Sequence, residues 1–476
     1  MPDIRYVCLS DTHFGEEDSL LTNLKTASMD TDPTQPSPVM IQLAACLRYL
    51  ISKNENEKKP TLILNGDILE LALTTTNEAA MVFERFIECI MPPGKELFDR
   101  IIFIPGNHDH HLWETARETQ YTEYIGGIQP GEYLPIPYHT TSMFVENVPD
   151  PLSCYFLTRL TKRYGHLEKA RVEVAYPNFG LMQGKDQRCV IFSHGHYIEP
   201  IYRLMSFLRN LMFPDREKPQ HIWDIEAENF AWIDFFWSTL GRSGEAGKDV
   251  ELIYEKMQDK EAFKKMLHGI VDRLAEKYDL PGWDVATAKI IKLTVDAAVD
   301  KIMDTERKHT ARPLSEEAEE GLWAYMNGPL MDQILIERQH MPGDVTFVFG
   351  HTHKPFQEDM NFRGYPEWVN VYNTGGWIVE SIDPEPLHGG AVVLVDEDLN
   401  TVSLRMYNEA EDRTGYEVVL KQAVHEGENI NPFFHRLNGL VKPVKDPWKS
   451  FSDIAYRTVR KRAQNLRARI REKDLP

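Results

Sequence analysis

Seven side chains in this sequence can hold a metal, and each stands at or just past the end of an apolar run: Asp11, His13, Asp67, Asn107, His194, His351 and His353. The last two come from Val345-Thr-Phe-Val-Phe-Gly-His-Thr-His-Lys-Pro355. A His-x-His pair in a loop is a weak signal alone. Its weight comes from the four other runs that also end in Asp, Asn or His. Oxygen and imidazole donors without thiolates suit manganese, iron, zinc or a similar divalent ion such as nickel, with manganese the expected metal. Asp67, from the middle of the first three runs, is the natural carboxylate to bridge two cations. Two divalent ions about 3.5–4 Å apart orient a phosphoryl group, lower the pKa of a bound water and stabilise both oxygens of an in-line displacement.

The elements that must position these residues are legible as alternating strands and helices. Ile4-Arg-Tyr-Val-Cys-Leu-Ser10 reads as a buried strand ending in Asp11-Thr-His13,. A polar, proline-bearing loop over 16–38 and a helix over 39–53 follow, then the strand Thr61-Leu-Ile-Leu-Asn65 ending in Gly66-Asp67. A helix over 78–91 stops at Pro92-Pro-Gly94, and Arg100-Ile-Ile-Phe-Ile-Pro105 ends in Gly106-Asn-His-Asp109,. This βαβαβ order predicts an α/β fold whose sheet has a parallel core, with ligands beyond the carboxyl ends of its strands. Further strands are expected at 171–176, 188–193 (ending in His194-Gly-His196), 345–349, 368–372, 391–396 and 401–407. Between the fourth and fifth ligand blocks the pattern turns helical, with segments near 198–213, 223–240, 250–278, 284–303 and 315–337.

The ordered set Asp11-x-His13, Gly66-Asp67, Gly106-Asn107-His108-Asp109, His194, Gly350-His351-x-His353 resembles the calcineurin-like metallophosphoesterase superfamily. The resemblance covers roughly residues 1–196 and 345–407, and Asn373-Thr-Gly-Gly-Trp377 fits it as well. It implies two mixed β-sheets face to face, flanked by helices, here with a large helical insertion. It implies one metal on Asp11, His13, Asp67 and His353 and another on Asp67, Asn107, His194 and His351. His108 would assist the phosphate or leaving group, with Asp109 orienting its ring. The activity implied is hydrolysis of a phosphomonoester or phosphodiester, with a nucleotide-sugar or lipid diphosphatase as the alternative within the superfamily. Members without metals serve as protein-binding scaffolds, a reading that requires missing ligands. None is missing here. A second, architectural resemblance is to bacterial UDP-2,3-diacylglucosamine diphosphatase and its relatives, which share the short Asp-x-His start and a helical insertion after the fourth block. That family typically has Arg where this chain has His108.

Three histidines beside the blocks, His110, His111 and His196, read as supporting or surface residues rather than ligands. The five cysteines read as small core residues of a reducing compartment,. The start of the sequence carries no signal-peptide pattern, and the expected location is cytoplasmic. A net charge of −20 argues against a nucleic-acid partner and leaves a small phosphate ester or nucleotide-like substrate,.

The expected domains are a discontinuous catalytic domain, 1–197 with 341–445, a helical insertion or cap, 198–340, and a basic amphipathic helix, 446–476. That last segment holds nine Lys/Arg against four Asp/Glu, a local +5 against −25 elsewhere. Its basic, amphipathic pattern fits docking on the chain's own acidic body or a neighbouring copy in a homo-oligomer, ahead of peripheral contact with an anionic membrane. The insertion leaves the sheet directly after His194, so it is expected to wall the cleft, with Tyr197, Tyr202 or Arg203 near a bound ester.

Overall fold

The computed structural model describes residues 2–26, 28–144, 151–184, 187–239, 312–383, 386–407, 415–425 and 431–473, with a few single positions between 240 and 311. Among them, two mixed sheets form the centre. The first is built on β1 (Ile4–Leu9), β2 (Thr61–Asn65), β3 (Arg100–Ile104) and β4 (Val172–Val174), all parallel. On its other side β1 pairs antiparallel with β10 (Gly390–Asp396), which continues to β11 (Thr401–Tyr407) and β12 (Val419–Lys421). The second sheet runs β5 (Asn178–Gln183), β6 (Arg188–Ser193), β7 (Asp344–Phe349), β9 (Val369–Asn373) and β8 (Phe356–Met360), with β6, β7 and β9 parallel.

The two sheets pack face to face. Cys8, Ile63, Ile102 and Val393 of the first interdigitate with Phe179, Val190, Phe192, Val348 and Tyr372 of the second in one buried layer. The outer face of the first sheet is covered by α1 (Pro38–Ile51) and α2 (Thr76–Ile90), through Leu43, Leu47, Phe83 and Phe86. Pro38 opens α1 at a position where a missing N–H costs nothing, and the Ser37 hydroxyl caps it by accepting from Met40 N at 3.1 Å,. With both faces covered, β1, β2 and β3 need continuous apolar runs, so the polar residues fall at the strand ends.

Three strands escaped the sequence reading. β5 contains Gly180 and two amides, β8 is the polar edge sequence Phe-Gln-Glu-Asp-Met, and β12 is short. The chain after His110 contains α3 (His111–Gly126) and α4 (Tyr155–Thr161). The loop expected over 16–38 is tied down rather than loose, with Leu20, Leu21 and Leu24 buried.

The insertion yields α5 (Leu204–Met212), α6 (Ile222–Asp234), α7 (Glu316–Tyr325) and α8 (Met331–Arg338). They cover the outer face of the second sheet: Ile225, Ile233, Leu322 and Leu330 pack with Ile191, Phe347 and Phe349. The helices expected at 250–278 and 284–303 fall almost wholly outside the described residues. A short helix, α9 (Pro432–Leu440), precedes the long α10 (Trp448–Lys473).

Phe451, Ala455, Val459 and Ala463 recur every fourth residue along α10 and are buried in the first sheet's outer core,. On the same helix Arg462 is buried and donates to the carbonyls of Ser19, at 3.1 Å, and Thr22. Arg469 pairs with Glu17 and Asp18. The basic tail thus meets acidic residues of its own body. All five cysteines are free thiols, four of them buried, and among the described residues no helix is long and apolar enough to cross a membrane.

Candidate metal centre

The seven residues singled out in the sequence converge where the parallel strands of both sheets end, and all seven are buried. Asp11 follows β1, Asp67 follows β2, Asn107 follows β3, His194 follows β6, and His351 and His353 follow β7. Backbone bonds lock the first two loops together: Asp11 N donates to Gly66 O and His13 N to Asp67 O, each at 2.9 Å. Asp11 then accepts from the amide of His351 at 2.9 Å, which ties the first sheet to the second.

Five of the seven take a left-handed backbone: Asp11, His13, Asp67, His351 and His353 have φ between 43° and 70°. Only Gln339 and Leu399 share this conformation among the other described non-glycine residues. Such conformations cost free energy in ordinary residues and collect at functional sites. Glycines give these side chains room. A Cβ on Gly106 would lie 2.2 Å from Asp67 Oδ1, and one on Gly350 would lie 2.2 Å from Asp11 Oδ2.

Four imidazoles share one arrangement, with one ring nitrogen against an oxygen outside the cluster and the other turned inward. His13 Nδ1 meets Glu70 at 2.8 Å, and its Nε2 lies 3.7 Å from Asp67 Oδ2. His353 Nδ1 is 3.0 Å from Glu380, its Nε2 3.3 Å from Asp11 Oδ1. His194 Nδ1 lies 3.2 Å from the carbonyl of Asn65, and Nε2 is 3.0 Å from Asn107 Oδ1 and 3.3 Å from Asp67 Oδ2. For His351 the outer atom is Nε2, 3.1 Å from Glu199, and Nδ1 is 3.0 Å from Asn107 Oδ1 and 3.3 Å from His194 Nε2. For His13 and His194 the outer contact is a hydrogen bond, which fixes the tautomer and leaves the inner lone pair for a metal,.

The buried His13 Nε2 and Asp67 Oδ2 have no hydrogen-bond partner, although both point into the cluster. A cation between them satisfies both, so the donor set fits divalent metal. Electrostatics agree. Burial pulls the His194 imidazole down, but the Asp67 carboxylate overrides this and lifts it to about 9. Burial would raise Asp67 itself, yet His194 and His108 hold it well below the carboxylate range. Because imidazole ligands bind a metal only when the donor nitrogen is deprotonated, a metal and protons would compete for these atoms.

One expected pairing is different. The Asp109 carboxylate accepts from the backbone amides of Gly106 (2.6 Å), Ile68 (2.8 Å) and Leu69 (3.3 Å), so it braces two loops. The residue at Nδ1 of His108 is Glu70, at 2.9 Å. Glu70 is fully buried and also holds His13. The signal for it was present three residues past Asp67, in Gly66-Asp67-Ile-Leu-Glu70, an acid interrupting an otherwise apolar stretch.

Residues 4–225 match the family model for calcineurin-like phosphoesterases. The chain carries a calcineurin-like phosphoesterase domain. It is a metal-dependent phosphoric ester hydrolase. The match spans β1 to β6 and the first helices of the insertion, so His351 and His353 join the domain through β7 rather than through the match. No curated protein matches the chain.

The start of the insertion lies against this phosphoesterase centre. The Tyr202 ring sits 5.1 Å from that of His351, edge to face, and Glu199 reaches the same imidazole. Tyr197 turns away and donates its hydroxyl to the buried Glu226 of α6. His196 is buried, with its ring 5.6 Å from His194, and burial pushes its pKa well below the usual value.

Proposed function

We propose that the chain hydrolyses a phosphomonoester or phosphodiester at a centre of two divalent cations. One cation lies among Asp11, His13, Asp67 and His353, the other among Asp67, Asn107, His194 and His351. The observation that carries the reading is the common posture of the four imidazoles, each with an oxygen at its outer nitrogen and its inner nitrogen turned to the cluster. Bound divalent ions supply Lewis acidity, which lowers the pKa of a water and neutralises the phosphoryl oxygens. Manganese is the expected metal, with iron, zinc and nickel as alternatives that the imidazole and carboxylate donors also suit.

The chain's own residues do the rest. Asp67 lies between the two ligand sets and keeps them in register, because its Oδ1 also accepts from the His108 amide at 2.8 Å. Asn107 contributes a neutral carbonyl oxygen, which limits the negative charge facing an anionic ester. With Glu70 accepting at Nδ1, His108 has Nε2 as the atom that hands a proton to the leaving oxygen,. Asp109 acts on the backbone of that loop. Tyr202 and Glu199 form part of the wall beside His351 and restrict which ester reaches the cluster. The substrate is a small or nucleotide-like ester in the cytoplasm, in keeping with the acidic body.

The test is a panel of phosphomonoesters and phosphodiesters with metal-depleted protein restored by Mn²⁺, Fe²⁺, Zn²⁺ or Ni²⁺. His108→Ala should keep its metal and its fold and lose on the order of 10²–10⁴ in turnover. Unchanged turnover on every ester refutes the role given to His108. No metal-dependent hydrolysis, together with a tight protein partner, makes the chain a scaffold.

A further inference from the structure

A second group of metal-binding side chains lies outside the phosphoesterase centre. His111 begins α3, and Glu114, three residues on, shares its face,. Asp234 ends α6 in the insertion and comes to meet them. His111 Nδ1 is 2.8 Å from Glu114 Oε2 and 3.3 Å from Asp234 Oδ1, and one donor atom from each residue lies within 4.8 Å of the others. Ligands about 2.0–2.2 Å from a common ion are themselves about 3–3.5 Å apart, so the spacing suits one ion.

The contacts are close but poorly directed. His111 Nδ1 and Asp234 Oδ1 are buried atoms with no hydrogen-bond partner despite their proximity. His13 Nε2 and Asp67 Oδ2 in the phosphoesterase centre show the same feature. Behind Asp234 stands His110, fully buried, with neither ring nitrogen hydrogen-bonded. Its Nδ1 faces Asp234 Oδ1 at 3.8 Å and its Nε2 faces the buried Glu226 at 3.7 Å.

We propose that His111, Glu114 and Asp234 hold a further divalent cation of the zinc or manganese class, which joins the helix after the Gly106-Asn107-His108-Asp109 loop to the insertion. Two carboxylates and a neutral imidazole balance a doubly charged ion, and the ligand types suit a first-row metal with water completing its shell. The positive end of α3 opposes a cation there by about half a charge and a protonated His110 by one more, which Glu114, Asp234 and the buried Glu226 together outweigh,. His111, Glu114 and Asp234 are each partly exposed, at 16%, 27% and 13%, so an ion can reach them from solvent. His111 N also donates to Ser238 Oγ at 2.8 Å, so the same junction is held by backbone. The cation would fix the insertion four residues along the chain from Asn107. This site is independent of how many ions the phosphoesterase centre takes.

The test uses full-length protein loaded with Zn²⁺ and dialysed, with ions per chain counted by elemental analysis. Asp234→Asn and His111→Ala should each hold one ion fewer than wild type, whatever the wild-type total, and should hydrolyse a minimal aryl phosphate within about twofold of it. Wild-type crystals measured at the zinc edge should show an anomalous peak among the three side chains, a readout that needs no variant. Equal ion counts in wild type and folded variants, or no peak there in zinc-loaded crystals, overturn the proposal in favour of an imidazolium–carboxylate ion pair.

Discussion

Glu70 lies within 2.9 Å of His108 Nδ1, from a fully buried position. Its other oxygen is 2.8 Å from His13 Nδ1. One carboxylate therefore orients both the proposed proton donor and a proposed ligand. Glu70→Ala should weaken metal binding about 10- to 100-fold, the usual effect of losing an outer partner of a ligating histidine. Turnover at saturating metal should also fall, because His108 loses its fixed orientation. Metal titration and turnover of the same variant check both effects, and a variant with wild-type values in both contradicts the arrangement.

The same carboxylate gives a pH dependence. Burial would raise Glu70, but the charge of His108 and hydrogen bonds from His108 and His13 hold it well below its ordinary value of 4.5. A depressed acid contributes stability above its unfolded pKa and loses it as the pH falls through the folded one. In chelator-treated protein, the margin in urea stability of wild type over Glu70→Gln should shrink as the pH falls below the ordinary Glu70 value of 4.5,. A margin that grows on acidification is the opposite result.

Much of this site was legible in the sequence because β1, β2, β3, β6 and β7 are buried on both faces. Each reads as a mostly apolar run, so a ligand stands out where the run stops. Glu70 was hidden for the opposite reason. It falls among Ile68, Leu69 and Leu71, in an irregular segment whose apolar residues pack inward, and only three dimensions show that its carboxylate turns to two histidines. Asp109 misled by adjacency: the residue after His108 points to backbone amides, and chain neighbours need not share a hydrogen bond. β8 was obscured because an edge strand has one open side and tolerates Gln357, Glu358 and Asp359,. The basic tail announced an amphipathic helix, but its partner, the loop beginning at Glu17, is more than 400 positions away.

Tyr202 packs edge to face on His351 from the first turns of the insertion. Tyr202→Ala should alter the ratio of rates between a bulky diester and a minimal aryl phosphate on the order of 10-fold, with the aryl phosphate rate itself little changed. Steady-state kinetics on the two substrates decide it. An equal loss on both assigns Tyr202 to holding His351 instead.

Phe451 is fully buried on α10, with its ring 6.4 Å from that of Trp377, a residue whose amide donates to the Asp11 carbonyl. Phe451→Ala should cost about 3–5 kcal/mol in urea unfolding, the usual range for a buried aromatic. A loss below about 1 kcal/mol is far outside that range and means that α10 does not stay docked in solution.

The central claim is the pair of cations that share Asp67. Crystals soaked in Mn²⁺ and measured at the manganese edge test it most directly. Two anomalous peaks should flank the Asp67 carboxylate, one beside His13 and His353 and the other beside His194 and His351, and both should vanish together in Asp67→Ala. A single peak at full loading, with Asn107 and His194 unengaged, contradicts the account.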